Sequence, residues 1–322
     1  MKKFLVPLTL VLALAWFQPF ALGHRSIVIP RQAPASQIAD RLCREHVLRS
    51  KIEFLAYLKL SSQAKRLRSG TFELQRYKPP YYYIRQLTHG GATEIMATIP
   101  EGLTIYEIAN VLASKGLGNR DEFLRLCRDR NFIQNLGFTT GSLEGFLFPD
   151  TYSFTEDQTD SAIISVMINN FQSRLKKYAL AGDSLNHVVI LASLVEKEAK
   201  FDDERPIIAR VFLNRLKLGR PLESCATVIY AMKNNPYDLY TPDEIQVQGL
   251  TEKDLKIESP YNTYLHPGLP PGPICCPGIR SIDAVLNPAD VDYLYFVAKG
   301  DGRHQFSRTY KEHLAAKERY LD

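Results

Sequence analysis

The sequence predicts an α+β protein in which small modules of strand and helix precede a larger mixed α/β region. Three observations give this prediction. An uncharged apolar segment opens the chain, a strand, helix and helix pattern then occurs twice, and beyond residue 140 lie a long apolar helix and a C-terminal hairpin. The 322 residues suffice for about two domains, each large enough to bury its own core.

The composition excludes several classes of protein. A chain that is 45% apolar and 23% charged folds, and is neither disordered nor of low complexity. Its 40 basic and 35 acidic residues lack the dense Lys/Arg stripe of a nucleic-acid surface, so no nucleic-acid partner is expected. The five cysteines form no C-x-x-C motif, and neither a phosphate-binding loop nor a His/Cys cluster is present, so we expect free thiols, no metal and no cofactor.

Residues 1–23 are predicted to be a signal anchor or a signal peptide. Lys2 and Lys3 precede nineteen uncharged residues, 4–22, which is close to the ~20 that a membrane-spanning helix needs. Ala21-Leu22-Gly23 also fits a signal-peptidase site, so anchor and cleaved peptide both remain open. Because the lysines lie on the amino-terminal side, the rest of the chain is expected across the membrane.

An internal repeat occupies the region from residue 24 to 140, at an offset of about seventy residues. The matched positions are Ile29, Ile38, Leu42 and Phe54 in the first copy and Ile99, Ile108, Leu112 and Phe123 in the second. Each copy predicts a short strand ending in Ile-Pro, a turn and two helices. In the second copy Thr104 is predicted to cap a helix from Ile105 to Lys115. The pattern leaves open whether the repeats bind a polymer or only pack together.

A second domain is predicted from residue 141 to 322. Residues 143–152 read Leu-Glu-Gly-Phe-Leu-Phe-Pro-Asp-Thr-Tyr, which places Glu144 and Asp150 among aromatic side chains. Aromatic rings beside carboxylates are typical of a sugar-binding cleft, because ring faces stack on pyranose C–H groups and carboxylates accept hydroxyl hydrogen bonds. The edge of an aromatic core fits the same pattern.

Two glutamates end the most apolar helix of the chain, residues 187–199. Glu198 follows the stripe of Leu191 and Leu194, while Glu196 lies about 200° away around the helix. Desolvation on an apolar face raises a carboxyl pKa, as a general acid working near neutral pH requires. Glu198 is therefore the candidate acid and Glu196 the alternative, unless both are simply solvated at a frayed helix end.

Three further segments follow. Residues 202–206, Asp-Asp-Glu-Arg-Pro, begin another core helix. A loop rich in Pro and Gly holds Tyr261, Asn262, Thr263 and Tyr264, whose polar groups are candidates to face a cleft, although a plain connection is also possible. A hairpin is predicted around the turn at residues 299–302, with His304 directly after it.

Taken together, these segments resemble the YceG-like endolytic murein transglycosylases. The motifs are Leu-Val-Glu-Lys-Glu at 194–198, Thr-Val-Ile-Tyr at 227–230, Ser-Pro-Tyr-Asn-Thr-Tyr at 259–264, Gly-Leu-Pro-Pro-Gly at 268–272 and Leu-Tyr-Phe-Val with Gly-x-His-x-Phe at 294–306. The resemblance covers nearly the whole chain. It implies a single-pass protein of the inner (cytoplasmic) membrane, with a LysM-like peptidoglycan-binding region at 24–140 and an extracytoplasmic, mixed α/β catalytic domain at 141–322.

The resemblance also implies the site. It gives Glu198 as the catalytic residue and suggests substrate contacts for seven others, namely Glu144, Tyr230, Tyr261, Asn262, Thr263, Tyr264 and His304. The family usually has Asp-Pro before Thr-Val-Ile-Tyr, where this chain has Cys225-Ala226, so any role of that aspartate is absent or taken elsewhere. The expected partners are peptidoglycan glycan strands and the membrane, with peptidoglycan synthases as further candidates.

The implied reaction cuts the β-1,4 bond between N-acetylmuramic acid and N-acetylglucosamine and leaves a 1,6-anhydro end. A single carboxylate suffices because the substrate supplies its own nucleophile. Two alternatives stay open. A glycoside hydrolase would need a second carboxylate, such as Glu144 or Asp150, and a non-catalytic peptidoglycan-binding scaffold would need none. Two Ser-x-x-Lys tetrads, at 62–65 and 173–176, do not make a penicillin-binding enzyme, since Lys-Thr-Gly and Ser-Asp-Asn are missing.

Overall fold

The protein forms two compact units in a computed structural model that describes residues 23–30, 33–89, 94–233 and 250–320. The first unit contains the chain up to residue 95 together with 155–157, and the second contains 96–154 and 158–322. The compact units therefore divide after Ile95, whereas the sequence predicted a functional boundary after residue 140. Compactness does not test where function divides, and that boundary stays a prediction. The predicted membrane segment, 4–22, lies outside the described residues.

The first unit is a two-stranded antiparallel sheet with helices inserted between and after its strands. Its elements are β1 (His24–Ile29), α1 (Ala35–Arg44), α2 (Lys51–Leu60), β2 (Gly70–Gln75) and α3 (Pro80–His89). The register pairs His24 with Gln75 and Ile29 with Gly70. Alternate residues of both strands point into a core that also takes the apolar faces of the helices.

The second unit begins with the same order of elements. It contains β3 (Glu94–Thr98), which starts at the boundary between the units, α4 (Ile105–Ser114), α5 (Arg120–Leu126), α6 (Arg130–Asn135) and β4 (Thr151–Thr155), and β4 pairs with β3. Thr104 caps α4 as predicted. Its hydroxyl accepts the Glu107 N–H, and the Glu107 carboxylate accepts the Thr104 N–H in return.

The internal repeat seen in the sequence is also a repeat of structure. Both copies run strand, helix and helix, and a later strand pairs with the first. The matched positions are buried in both copies, with Ile29, Ile38, Leu42 and Phe54 answering to Ile99, Ile108, Leu112 and Phe123. The apolar residues whose spacing defined the repeat therefore form two similar cores.

Beyond β4 the second unit is mainly helical. Its helices are α7 (Asp160–Leu175), α8 (Gly182–Glu198), α9 (Arg205–Lys217), α10 (Cys225–Lys233) and α11 (Ile279–Leu286). α9 and α11 pack on α8 and on each other, and α10 also contacts α8. Because α8 is covered from several sides, every residue from Val189 to Val195 is buried. This explains why its sequence is apolar around the whole helix.

Gly145 lets the segment after α6 lie against α8. Its φ of +87° is one that favours glycine, and a Cβ there would lie 2.5 Å from the Cβ of Pro273 and 2.9 Å from Cγ1 of Val189. The loop before α11 is fixed from the other side, because the backbone of Cys276 accepts from Gly102 and donates to Leu103. These contacts join the second repeat copy to the helices that follow it.

The predicted C-terminal hairpin is confirmed. β5 (Tyr295–Ala298) and β6 (His304–Ser307) pair antiparallel, with Tyr295 opposite Ser307 and Ala298 opposite His304, and α12 (Tyr310–Tyr320) follows. The described residues thus form a mixed α/β structure with three small two-stranded sheets.

In the described part of the chain, no single helix is long and apolar enough to cross a membrane. Two successive helical segments, Asp160–Tyr178 and Gly182–Glu198, meet the criterion only when joined, and they are bent by 105° at their junction.

The packing of α2 gives a test of the first core. Replacing the fully buried Phe54 by Ala leaves a cavity and should lower the free energy of unfolding by about 3–5 kcal/mol. Ile52 lies on the same helix but is exposed, so Ile52→Ala should change it by less than about 0.5 kcal/mol. Chemical denaturation followed by circular dichroism measures both, and equal losses would contradict this assignment of faces.

Candidate active site

The carboxyl end of α8 brings two acidic side chains out of a buried helix. Glu196 lies in the last turn and Glu198 is the final residue of the helix. The carbonyl end of a helix carries partial negative charge, which disfavours a further negative charge there unless a partner offsets it. The two glutamates differ in the partners that offset this unfavourable charge.

Glu196 is fully engaged by its neighbours, and its side chain is only 7% exposed. One carboxylate oxygen lies 3.1 Å from a guanidinium nitrogen of Arg205. The other accepts the Gly278 N–H at 2.9 Å and the Ser281 hydroxyl at 2.8 Å. A cation and two further hydrogen-bond donors offset the desolvation of this buried carboxylate. It is therefore part of the packing between α8, α9 and α11, and is not a solvated residue of a frayed end.

Glu198 is partly buried and has a much lighter set of contacts. Its Oε1 accepts a hydrogen bond of 2.5 Å from the hydroxyl of Ser224. Burial raises the pKa of the Glu198 carboxyl above its usual value, while the Ser224 hydrogen bond and the nearby His304 act in the opposite direction. A carboxyl that keeps its proton at higher pH and has one hydroxyl partner is suited to proton transfer.

Ser224 is held by the loop that carries the Ser-Pro-Tyr-Asn-Thr-Tyr motif. Its backbone N–H donates to the hydroxyl of Thr263 at 3.1 Å, and its carbonyl accepts from the hydroxyl of Thr227 at 2.7 Å. The two threonine hydroxyls lie 2.9 Å apart. Buried hydrogen bonds on both sides of Ser224 fix its backbone and hence the direction of its hydroxyl.

The rest of this loop is held together by Asn262. Its side-chain amide donates to the backbone carbonyls of Leu255 at 3.0 Å and Ile257 at 2.9 Å, and its carbonyl oxygen accepts the Tyr264 N–H. Asn262 and Thr263 are 0% and 1% exposed, so neither offers surface to a ligand. Tyr264 is partly exposed, and its hydroxyl lies 3.1 Å from the sulfur of Cys225.

His304 belongs to a second buried pair close to Glu198. Its Nδ1 lies 2.8 Å from Oε2 of Glu204, and its backbone N–H donates to the other carboxylate oxygen at 3.0 Å. The Phe296 ring meets the imidazole edge-on at 5.2 Å. With one ring nitrogen on Glu204 and the ring plane set by Phe296, only Nε2 is left for another partner.

The remaining predicted residues gather in a separate cluster around Glu144. This carboxyl is 2% exposed, accepts the N–H of Ile105 at the start of α4 and accepts the hydroxyl of Tyr230 at 3.2 Å. Burial raises the pKa of Glu144 to about 8. The rings of Tyr230 and Tyr261 lie 4.9 Å apart, and both are partly exposed. The tyrosines thus present surface, whereas the carboxyl beneath them does not.

Asp150, the other carboxylate considered from sequence, is also occupied. It accepts from Asn170 and from the guanidinium of Arg174 at 2.9 Å, and these contacts lower the pKa of its carboxyl. Over the ranges that the structure describes, no group of three or more His, Cys, Asp or Glu side chains is arranged to hold a metal ion.

Two residues of this site were missed by sequence reasoning. Ser224 directly precedes the Cys225-Ala226 pair, at the start of a helix. Serine is common there because its hydroxyl can cap the helix, so its presence did not indicate a role in the site. Glu204 lies in an acidic run that predicts a helix start. Acidic residues are favoured at helix starts, so Glu204 needed no role in a site to account for its position. The contacts of Ser224 with Glu198 and of Glu204 with His304 join residues 26 and 100 positions apart, so no local signal could have found them.

Comparisons with known proteins agree on one family. A model of the YceG-like family matches residues 27–319. An endolytic murein transglycosylase of Bacillus subtilis is 34% identical, covering 92% of this chain and 84% of that protein. One of Streptococcus pneumoniae is 28% identical over 89% of this chain, which spans 57% of that longer relative. A crystal structure of a YceG-like protein from Listeria monocytogenes aligns with a TM-score of 0.58 and 29% identity, covering 91% and 98% of the two chains.

The buried Glu144 should make stability depend on pH. Its pKa is raised from 4.5 to about 8, so the folded protein holds a proton that the unfolded chain releases between these values. Stability from this group is complete below about pH 4.5 and is lost as the pH rises to about 8. In Glu144→Gln, which cannot ionise, the melting temperature should fall less over this window than in the wild type.

Thermal melts at several pH values measure this difference. Glu318→Gln, an exposed glutamate of α12, controls for the change of charge and should melt with the wild-type pH dependence. Parallel curves for Glu144→Gln and the wild type would show that Glu144 ionises normally.

Proposed function

This chain belongs to the YceG-like family, and on that premise we propose that it is an endolytic murein transglycosylase. It cleaves the β-1,4 bond between N-acetylmuramic acid and N-acetylglucosamine inside peptidoglycan strands and leaves 1,6-anhydro ends. Such cleavage ends the growth of nascent strands. The observation that carries the proposal is the contrast at the end of α8, where Glu196 is neutralised by Arg205 and Glu198 faces only a hydroxyl among its hydrogen-bond partners in the described chain.

Glu198 acts first as a general acid. Its protonated carboxyl gives a proton to the glycosidic oxygen as the bond to the muramic C1 breaks, and the fragment that ends in N-acetylglucosamine leaves with a free hydroxyl. The resulting carboxylate then takes the proton of the muramic 6-hydroxyl while that oxygen bonds to C1. Glu198 ends protonated, as it began, and no water is consumed. Because the nucleophile belongs to the substrate, a second protein carboxylate is not needed.

Ser224 and the pair of Glu204 and His304 assist the same carboxyl. The Ser224 hydroxyl donates to Glu198 and favours its charged form, which exists between the two proton transfers. Glu204 is a positioning residue that fixes the tautomer and plane of His304. His304 in turn directs Nε2 to the substrate or to Glu198. Burial raises the pKa of Glu198, while Ser224 and His304 lower it, so the carboxyl can both give a proton and take one back.

The exposed tyrosines provide the sugar-binding surface in this proposal. Tyr230, Tyr261 and Tyr264 are partly exposed, and their rings offer faces for stacking on pyranose rings. Glu144 supports Tyr230 from below by accepting a hydrogen bond from its hydroxyl. Asn262 and Thr263 shape the loop that carries Tyr261 and Tyr264 and position Ser224, and they act without touching the substrate.

The first unit is proposed to help hold the glycan. Two antiparallel strands that enclose two helices, β1–α1–α2–β2, support a LysM-like peptidoglycan-binding module. The apolar segment 4–22 is proposed to anchor the chain in the cytoplasmic membrane, with both units on the extracytoplasmic side. Peptidoglycan synthases, which make nascent strands at this membrane, are the proposed protein partners.

The role of Glu198 is tested by Glu198→Gln. This variant keeps the shape of the side chain and removes its proton transfer, so turnover should fall about 10²–10⁴-fold. The substrate is uncrosslinked peptidoglycan strands, and mass spectrometry of the ends measures the product. Wild-type ends should be lighter by one water than reducing ends. Glu196→Gln, assayed below its melting temperature, should lose stability through the unpaired Arg205 and keep the anhydro product.

Other results would overturn the assignment in distinct ways. Reducing ends from the wild type would indicate a hydrolase. Full activity of Glu198→Gln together with loss of activity in Glu196→Gln would make Glu196, and not Glu198, the general acid. Strands that bind the protein but stay intact under all conditions would indicate a scaffold.

Ser224 gives a pH prediction. Its hydrogen bond lowers the pKa of Glu198, so Ser224→Ala should raise this pKa and keep the acid protonated to higher pH. The alkaline limb of kcat/KM should therefore move upward by about one pH unit. Ser193→Ala removes a different buried hydroxyl, which lies on α8 and is hydrogen-bonded to the Ile190 carbonyl and the Ile274 N–H but not to Glu198. That control should leave the limb in place, and equal shifts in both variants would contradict a direct effect.

A further inference from the structure

The net charge of this chain is divided unevenly between its two units. In the first unit, residues 24–95 and 155–157 contain 13 Lys or Arg and 7 Asp or Glu, whereas residues 96–154 and 158–322 of the second unit contain 25 and 28. The overall charge of +5 thus conceals a first unit of +6 and a remainder of −3, apart from the two lysines at the start of the chain. Seven carboxylates cannot neutralise thirteen cations, so the first unit presents a positive surface to any anionic partner.

The first unit also exposes an unusual apolar stripe along α2. Ile52 and Leu60 are 80% and 84% exposed, and Ala56 lies between them at helical spacing. Phe54 and Leu58, on the other side of the helix, fill the core. The outer face would normally be polar, since α2 already has its buried side. Lys59 borders the stripe on one edge and Glu53 on the other, and both are exposed.

The chain leaves little distance between this unit and the proposed anchor. The apolar segment ends at Leu22, and β1 begins at His24. One intervening residue spans less than about 4 Å even when fully extended. If residues 4–22 cross the bilayer, the start of the first unit lies at the level of the lipid headgroups.

From these three observations we propose that the first unit rests on the surface of an anionic lipid bilayer, with the α2 stripe of Ile52, Ala56 and Leu60 inserted among the headgroups. The inference rests on the anchoring proposed above. Basic side chains meet the phosphates of anionic lipids, while the apolar stripe lies shallowly in the interface. The unit that follows the anchor is thereby held at the membrane, where nascent glycan strands emerge.

A bilayer fits the stripe better than a glycan does. Aliphatic side chains such as Ile52 and Leu60, standing on the convex face of a helix, gain from burial in hydrocarbon. A sugar strand would instead be met by aromatic faces and hydrogen-bonding groups in a groove. The short connection to the anchor also brings α2 to lipid without any further partner.

The single tryptophan of the chain makes a direct test possible. Trp16 lies in the proposed anchor, so quenching of wild-type fluorescence by lipids with brominated acyl chains reports on the anchor alone. The full chain with Trp16→Phe and Leu60→Trp then reports on the stripe. In bilayers of brominated phosphatidylcholine and phosphatidylglycerol we expect Leu60→Trp to lose about half of its fluorescence, relative to the unbrominated lipids.

Two matched variants make the result specific. Adding Ile52→Glu should abolish most of the quenching of Leu60→Trp without unfolding the unit, since Ile52 is exposed. Leu218→Trp, at an exposed position of the second unit, should be quenched much less. Replacing phosphatidylglycerol by phosphatidylcholine should also reduce the quenching of Leu60→Trp.

The outcomes separate the two proposals. Unquenched wild-type Trp16 would overturn the anchor itself. Quenched Trp16 with unquenched Leu60→Trp would leave the anchor in place and overturn the docking of α2. Equal quenching of Leu60→Trp and Leu218→Trp would indicate general adsorption and also overturn it. A fluorescence change of Leu60→Trp on soluble glycan strands, with none from brominated lipid, would assign the stripe to glycan.

Discussion

The site depends on one constraint, which is that α8 is buried around its whole circumference and nevertheless ends in two carboxylates. Charges at such a place need partners, and of the two only Glu196 has a cation within ion-pair distance among the residues that the structure describes. Arg205, reaching from the start of α9, neutralises Glu196 and is held by it, so that α8, α9 and α11 meet around this ion pair. Glu198 has a hydroxyl in place of a cation, and burial therefore raises the pKa of its carboxyl. Because burial is common to both glutamates, it is the difference in their partners, Arg205 for one and the Ser224 hydroxyl for the other, that distinguishes them chemically.

The surroundings of Glu198 are rigid because their polar groups are used by one another. Thr263 and Thr227 fix the backbone of Ser224, Asn262 closes the loop that carries Thr263, and Glu204 holds His304. Among the residues that the family motifs mark, Asn262 and Thr263 are buried and hydrogen-bonded within the protein, while Tyr230, Tyr261 and Tyr264 are partly exposed. A motif residue can be essential to a site without reaching its ligand, since a precisely placed hydroxyl needs a shell that does not move. The replacement of Asp-Pro by Cys225-Ala226 leaves this shell intact, because Ser224 and Thr227 on either side make the supporting contacts.

The two units divide charge as well as structure. A basic first unit with an apolar outer helix face is suited to the membrane and to holding strands near it, while the second unit carries the proposed chemistry. Both units begin with a similar core of strand and helices, which the second unit extends by the helices around Glu198. A similar module of strand and helices thus occurs twice, once by itself next to the proposed anchor and once at the start of the unit that carries the proposed chemistry.

The sequence by itself determined the elements whose signals are local. Apolar spacing defined the repeat, Thr104 and Pro206 marked helix starts, alternation predicted the hairpin, and the motifs together indicated the family. Spacing also separated Glu196 from Glu198 by face, although both faces of α8 proved to be buried, so that face alone could not rank them. Only the tertiary structure decided which carboxyl is neutralised, which residues hold Ser224 and His304, and that Glu144 is sealed beneath Tyr230. The physical reason is that the pKa and orientation of a buried group depend on partners that are distant in sequence, and local periodicity carries no record of them.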